Sequence, residues 1–156
     1  MEHFKSDFDS SLGPCLGRTI KIADQYVQEV FDAHEMDITK EQMIVLKQLS
    51  RQDGMTQGEL AALILRDKSS LARLLSKMEN KDYVKRRKGR ADKRNKRVFL
   101  TPRGRQVLLA AMPVLAKIMA TMEKGIGAEQ KAHLISTLEK IQDNFAQAHK
   151  NAQPME

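Results

Sequence analysis

The side chains in this sequence that are best suited to chemistry are cationic, and they are concentrated in one segment. Residues 85–97 (KRRKGRADKRNKR) contain nine lysines and arginines and a single acid, Asp92, which gives the segment a net charge of +8. The whole chain of 156 residues carries only +7, so the residues outside the segment are nearly neutral in sum. Such a concentration of ammonium and guanidinium groups is typical of a surface that binds polyphosphates. It predicts that the partner is a nucleic acid.

The flanks of the basic segment predict that it forms a β-hairpin. Tyr83 and Val84 precede it and residues 98–101 (VFLT) follow it, and both stretches favour strands. Gly89 and Asn95 lie between them, where a turn is expected. A hairpin holds its charges in a defined shape, so we expect a folded basic finger rather than a disordered basic tail.

Two short helices are predicted immediately before the hairpin. Thr56 and Glu59 have the spacing of a capping box and open a helix over residues 56–65. Asp67 is the expected N-cap of the next helix, residues 67–80. The buried face of that helix would comprise Leu71, Leu74, Leu75 and Met78. Two short helices with a tight connection, followed by a basic hairpin, indicate a winged helix-turn-helix whose second helix is the recognition helix.

The outer face of the recognition helix suits the major groove of double-stranded DNA. Ser69 and Ser70 are small enough to let the helix approach closely. Arg73 can donate a bidentate pair of hydrogen bonds to guanine, and Lys77 can contact a phosphate. The remaining cations of the helix and hairpin are expected to contact DNA as well: Lys68, Arg86, Arg87, Lys88, Arg90, Lys93, Arg94, Lys96 and Arg97.

The rest of the chain is predicted to be helical. Apolar residues recur every three or four positions over residues 12–34, over 39–51, and again after Thr101 and Pro102. Thr39 and Gln42 have the spacing of a second capping box, which opens the helix over residues 39–51. A further apolar stripe, in the last predicted helix, consists of Leu134, Leu138, Ile141, Phe145 and Ala148. The predicted order is four helices, a hairpin and two helices. The fold class is therefore mainly α with a small β-hairpin, in one domain spanning residues 1–156.

Composition argues against several other classes of protein. The single cysteine, Cys15, excludes an intrachain disulfide and fits a reducing cytoplasm. The four histidines have no metal-site spacing, and no nucleophile–base grouping or phosphate-binding loop is visible, so we expect no cofactor, no metal and no enzymatic activity. The most apolar stretch, residues 107–122, contains Pro113 and Lys117 and is predicted to be a buried helix rather than a membrane span.

Two other functions remain compatible with a basic hairpin. It could bind structured RNA through its A-form shape, although the chain has no tryptophan and only Phe99 is near the patch to stack on a base. A protein-interaction scaffold would keep the helices without needing the charge. Competition between duplex DNA and structured RNA distinguishes DNA binding from RNA binding. A protein-interaction scaffold should keep its binding when the hairpin charges are reversed.

The chain resembles the MarR family of bacterial winged-helix regulators over residues 12–149. The most specific similarity is Asp92-Lys93-Arg94 followed by residues 98–104 (VFLTPRG), which is similar to the family pattern D-x-R and then L-T-x-x-G. Residues 67–75 (DKSSLARLL) resemble the start of the family's recognition helix. Asp82 departs from the pattern, because it stands where the family usually has glycine; aspartate tolerates the left-handed conformation that this position requires.

The resemblance implies a homodimeric transcriptional regulator. Residues 12–34 and 102–150 would form the dimerisation helices, and residues 39–101 the DNA-binding lobe. By analogy, Arg94 would enter the minor groove, with Asp92 holding its guanidinium in place. Small anionic or phenolic effectors would bind between the dimer helices and the lobe, and effector release of a repressor is expected.

Some relatives sense peroxides through a cysteine near the start of the first helix, and they support its thiolate with tyrosines from the second helix. Residues 39–49 contain no tyrosine. We therefore expect Cys15 to be a small buried apolar residue without a redox role.

Overall fold

The computed structural model describes residues 11–88 and 96–152. Within them it has six helices and three strands, in the order expected from the sequence apart from one additional short strand. The elements are α1 (Leu12–Ala33), α2 (Lys40–Arg51), β1 (Met55–Thr56), α3 (Gln57–Leu63), α4 (Lys68–Asn80), β2 (Val84–Lys88), β3 (Lys96–Leu100), α5 (Pro102–Met122) and α6 (Ala128–Ala152). The mainly α-helical fold with a β-hairpin is therefore confirmed.

Local capping explains where α2 and α3 begin. The hydroxyl of Thr39 accepts a hydrogen bond from the backbone N–H of Gln42 at 3.3 Å, and the Gln42 side chain accepts from the Thr39 N–H at 3.2 Å. Thr56 and Glu59 form the same reciprocal pair at the start of α3. Each box satisfies two N–H groups that have no partner within the helix, so both predicted capping boxes are confirmed.

The three strands form one antiparallel sheet in the order β1-β3-β2. β2 and β3 pair as a hairpin in which Val84 lies opposite Leu100 and Arg87 lies opposite Arg97. Met55 of β1 pairs with Val98, so the chain entering α3 is hydrogen-bonded to the root of the hairpin. The sheet therefore joins the β2–β3 hairpin, which is the wing of the winged helix-turn-helix, to the start of α3.

A shared hydrophobic core fixes the orientation of the recognition helix α4. Its buried residues are Leu71, Leu75 and Met78, and Leu74 packs partly buried against the same core. Side chains from α1, α2, α3, α5 and the sheet complete it, including Phe31, Leu46, Leu60, Leu108 and Val98. Each fully buried side chain of this size contributes about 1.5–3 kcal/mol, so the predicted inner face of α4 is strongly specified.

The connection from α4 to the hairpin requires a left-handed residue, and Asp82 supplies it with φ of 56°. The turn is closed by hydrogen bonds from Asp82 N–H to the Glu79 carbonyl and from Tyr83 N–H to the Met78 carbonyl, both 2.9 Å long. This is the usual geometry of a helix C-terminus, with aspartate in the position that glycine favours. The expectation for Asp82 is confirmed.

The described residues divide into two compact units, one ending at Ile118 and the other beginning at Met119. The first contains the winged helix-turn-helix together with α1 and most of α5. The second contains the end of α5 and all of α6. Within the second unit, Lys131 forms an ion pair with Glu123 at 2.6 Å.

One helix among those described, α5, is long and apolar enough to cross a membrane. Core helices of soluble proteins share that length and composition. Four side chains of α5 belong to the hydrophobic core of the first unit, namely Leu108, Ala111, Val114 and Ile118. The prediction of a buried helix therefore holds for one face of α5 only, because Leu109 and Met112 on its other side are exposed.

Candidate nucleic-acid interface

The outer ridge of α4 is formed by side chains that point away from the core. Because Leu71 and Leu75 face inward, the helical period places Ser69, Arg73 and Ser76 on the opposite side. All three are exposed. No bulky apolar side chain lies on this ridge, so the helix presents a narrow, polar surface of the kind that fits a major groove.

Hydrogen bonds orient the first turn of α4. An oxygen of the Asp67 carboxylate accepts from the Ser70 N–H at 2.8 Å and from the Ser69 hydroxyl at 2.6 Å. These bonds hold the pKa of Asp67 well below its ordinary value, with the Ser69 hydroxyl as the largest cause. The Ser70 hydroxyl in turn accepts from the Arg73 guanidinium at 3.0 Å. The side chains predicted to approach bases are therefore connected to one another before any partner binds.

A basic cleft of about 290 Å³ lies along one flank of α4, between this helix and the start of α2. Three cationic residues line it: Arg66, Arg73 and Lys77. Glu41 is the acid in the lining, and its carboxylate lies 3.6 Å from the Arg66 guanidinium. We name this feature the α2–α4 cleft. Arg66 was not among the residues expected from the sequence, because it lies in the α3–α4 connection outside both basic elements.

The outer face of the hairpin carries cations that have like-charged neighbours. On this face, Arg87 lies directly opposite Arg97. Like charges at opposed positions of an antiparallel pair destabilise the sheet. Arg97 is held by a 2.8 Å hydrogen bond to the Gly54 carbonyl, and the Arg87 guanidinium lies 5.9 Å from the centre of the Phe99 ring. The hairpin thus tolerates internal repulsion that a bound anion would relieve.

Arg86 has a different environment from the other hairpin cations. It lies on the face of β2 that carries the buried Val84, and its side chain reaches the recognition helix. Its guanidinium donates to Glu79 and to the Ser76 hydroxyl, the latter at 3.0 Å. This ion pair lowers the pKa of Glu79 below its ordinary value. Glu79 was not singled out from the sequence, and its only signal there was an acid seven residues before a hairpin arginine.

The structure brings most of the expected DNA-contacting residues onto two adjoining surfaces. Lys68, Ser69, Ser70, Arg73 and Lys77 lie on α4, and the strands carry Arg86, Arg87, Lys88, Lys96 and Arg97. Four expected residues, Arg90, Asp92, Lys93 and Arg94, lie outside the described residues. The minor-groove role of Arg94 therefore stays a prediction.

The prediction that Cys15 is buried is wrong, because its thiol is exposed in the first turns of α1. The helix turn that carries it contributes no residue to the hydrophobic core, whose first α1 members are Val27, Val30 and Phe31. In the part of the chain that the structure describes, no group of three or more histidine, cysteine, aspartate or glutamate side chains could hold a metal ion.

An exposed recognition helix, a supporting helix and a basic hairpin paired through a third strand define a winged helix-turn-helix protein. The MarR family model matches residues 38–96. The transcriptional regulator HosA of Escherichia coli O157:H7 is 31% identical to this chain over 109 residues, which are 69% of this chain and 81% of HosA. The chain belongs to the MarR family of DNA-binding transcriptional regulators.

Solved structures agree with this assignment. A mutant MarR from Escherichia coli complexed with operator DNA is similar, with a TM-score of 0.71 and 27% identity, over 81% of this chain and 92% of that one. BpsR of Bordetella bronchiseptica, from a study of how 6-hydroxynicotinic acid regulates its DNA binding, has a TM-score of 0.80 and 20% identity, over 87% of this chain and 96% of that one. The predicted winged helix-turn-helix fold and the resemblance to the MarR family are therefore confirmed.

Proposed function

We propose that this protein is a homodimeric repressor that binds a pseudo-palindromic operator in double-stranded DNA. The observation that carries the proposal is the placement of a small, polar helix ridge beside a basic hairpin within one compact unit. α4 would enter the major groove, and the wing would follow the backbone towards the adjacent minor groove, where the Arg94 side chain would insert. Occlusion of a promoter by the bound dimer would repress transcription.

Exposed apolar side chains support the dimer. On α1, Leu12 and Ile20 are 63% and 56% exposed in the single chain, and on α6 Leu134 and Phe145 are 52% and 69% exposed. Apolar side chains that recur along one helix face are rarely left exposed to water. A second copy of the chain that packs against these helices would bury them. Two lobes related by a two-fold axis would meet half-sites whose centres lie about 10 bp apart on one face of the duplex.

The α2–α4 cleft adds a backbone contact to this interface. A helix in the major groove has a phosphate backbone along each flank, and the wing root lies on only one flank of α4. Arg66 and Lys77 line the cleft on the other flank. We expect them to bind a phosphate there, with Arg73 near the groove floor.

A small anionic or phenolic effector would release the repressor from DNA. BpsR, which shares the fold, is described as regulated by 6-hydroxynicotinic acid. A ligand that binds the DNA-free arrangement of the two lobes more tightly would shift the population away from the operator. A DNA-binding regulator of this kind acts in the cytoplasm and has no catalytic role.

Competition binding tests the choice of nucleic acid. Purified protein bound to a labelled duplex carrying the operator should be displaced by unlabelled operator at far lower concentration than by structured RNA of equal length. The physical reason is that the α4 ridge fits the wide major groove of B-DNA, whereas the major groove of A-form RNA is deep and narrow. Stronger competition by the RNA would refute the proposal and favour the RNA-binding alternative.

A further inference from the structure

We infer that Glu79 and Arg86 form a positioning pair that fixes the wing against the recognition helix, and that Arg86 is not a phosphate contact. The inference rests on the proposed function, because positioning matters only if α4 and the wing act on one duplex. It removes Arg86 from the set of DNA-contacting cations. It also gives an acidic residue, Glu79, a role in binding an anionic partner.

Both oxygens of the Glu79 carboxylate are engaged by Arg86. Oε1 accepts from the backbone N–H of Arg86 at 2.9 Å, and Oε2 accepts from its Nε at 2.8 Å. Nη2 of Arg86 also donates to the Ser76 hydroxyl at 3.0 Å. One residue of β2 is therefore joined to two positions on α4, one turn apart, through both its main chain and its side chain. Such multidentate pairing fixes direction as well as distance.

Burial separates this pair from the other charges of the interface. The Arg86 side chain is 18% exposed and that of Glu79 is 29% exposed, whereas Lys85, Arg87, Lys96 and Arg97 are all exposed. If Arg86 swung out to a phosphate, it would leave a partly buried carboxylate without its main partner beside the polyanion. Removing one member of such a pair is costly, so the resting arrangement is expected to persist on DNA.

Two further bonds hold the root of the wing. Arg97 donates to the Gly54 carbonyl, and the Leu100 N–H donates to the Asp53 carboxylate at 2.8 Å. These bonds fix β3 to the turn before α3, but neither reaches α4. The Glu79–Arg86 pair, by contrast, joins a hairpin strand directly to the recognition helix. It sets the angle between the two DNA-reading elements.

The two roles for Arg86 predict opposite effects of Glu79→Gln. This substitution keeps the shape of the side chain but removes a negative charge from the DNA-facing side. If the pair positions the wing, operator affinity falls on the order of tenfold, because a charge-assisted bond is weakened. If Arg86 instead contacts phosphate, affinity rises, because the arginine is released and an acid is lost. Glu35→Gln, at an exposed position between α1 and α2, is the matched control for the charge change and should leave the affinity unchanged.

Rescue and salt dependence complete the test. Glu79→Arg combined with Arg86→Glu should recover most of the affinity that either substitution loses alone, and failure to recover would overturn the inference. Arg86→Ala should weaken operator binding without changing the slope of log K against log salt on non-specific duplex. A slope reduced by about 0.9 would identify a phosphate contact and overturn the inference as well.

Hydrogen exchange in the DNA-free protein distinguishes failure of this inference from failure of the proposed function. Glu79→Gln should accelerate amide exchange in β2 and leave α2 unchanged, whether or not the protein binds duplex DNA. Unchanged exchange in β2 would overturn the positioning role. Absence of duplex binding by the unsubstituted protein would refute the proposed function alone.

Discussion

Arg73 lies where two surfaces of the interface meet, on the outer ridge of α4 and at the edge of the α2–α4 cleft. Its hydrogen bond to Ser70 restricts the guanidinium before DNA arrives. Restricting a long side chain in advance lowers the entropy that binding must remove. Arg73 is therefore the side chain whose loss should most directly affect base preference.

Replacement of Arg73 by alanine should weaken operator binding by about 1–3 kcal/mol and reduce the preference for operator over scrambled duplex. The free energy of unfolding should barely change, because the side chain is exposed. Binding titrations with both duplexes measure the two effects. Lys140→Ala, on the exposed surface of α6, is the control; equal losses on operator and scrambled DNA would contradict base recognition by Arg73.

Gly104 is required by a close approach of two backbones. A Cβ atom at this position would lie 2.0 Å from the Tyr83 carbonyl oxygen, which cannot move without disturbing the start of the hairpin. Gly104→Ala should lower the free energy of unfolding by about 3 kcal/mol or more. Urea denaturation measures this loss. In Gly58→Ala, the new Cβ would have only the Thr56 hydroxyl nearby, at 4.0 Å, so the same change there should cost far less.

At the scale of the elements, the hairpin combines repulsion between its own cations with a proposed role in DNA binding. Arg87→Ala should reduce the slope of log K against log salt by about 0.9, because one phosphate contact is lost. The stability of the DNA-free protein should stay within about 0.5 kcal/mol, since relief of repulsion from Arg97 offsets the lost contact with Phe99. Salt titrations on duplex DNA measure the slope, and an unchanged slope would exclude Arg87 from the interface.

The Glu79–Arg86 pair gives the lobe a defined pH dependence. The pKa of Glu79 is lowered from the ordinary value of 4.5, chiefly by the Arg86 side chain. The unfolded chain therefore takes up a proton at higher pH than the folded one. The stability from the pair is fully present above about pH 4.5 and is lost as the pH falls through the folded pKa. Thermal unfolding should show that acidification destabilises Glu79→Gln less than the unsubstituted protein; equal pH profiles would contradict this.

The elements differ in how far the sequence alone predicts them. Thr39, Thr56 and Asp67 mark helix starts correctly because a cap involves residues only three positions apart. β1 could not be predicted, since two residues carry no periodicity and their pairing with β3 spans about forty positions. The same limit applies to the α2–α4 cleft, where Arg66 approaches Glu41 only after the helices have packed.

At the scale of the whole molecule, periodicity predicts an apolar stripe but does not show what covers it. The stripe on α6 is clear in the sequence, yet none of the described side chains of this helix is buried in the single chain. The proposed dimer interface would account for this difference. The stripe would then belong to a core that is completed only when two chains associate.

Phe145→Asp tests that interface. The side chain is exposed in the single chain, so the substitution should not harm the fold of one lobe, but it should place a charge in an apolar contact between two chains. Sedimentation should show a shift from dimer to monomer and a matching loss of operator affinity. Gln147→Asp adds the same charge two residues away; a Phe145→Asp protein that remains as dimeric as this control would contradict the interface.

Hydroxyl-radical footprinting on a duplex selected from genomic fragments by the purified protein tests the central claim most directly. The proposed homodimer should protect backbone on one face of the duplex, around two half-sites whose centres lie about 10 bp apart. Arg73→Ala should weaken protection at both half-sites equally, because each lobe carries the same α4. A single protected site, or protection unaffected by substitutions on α4, would contradict paired insertion of the recognition helices.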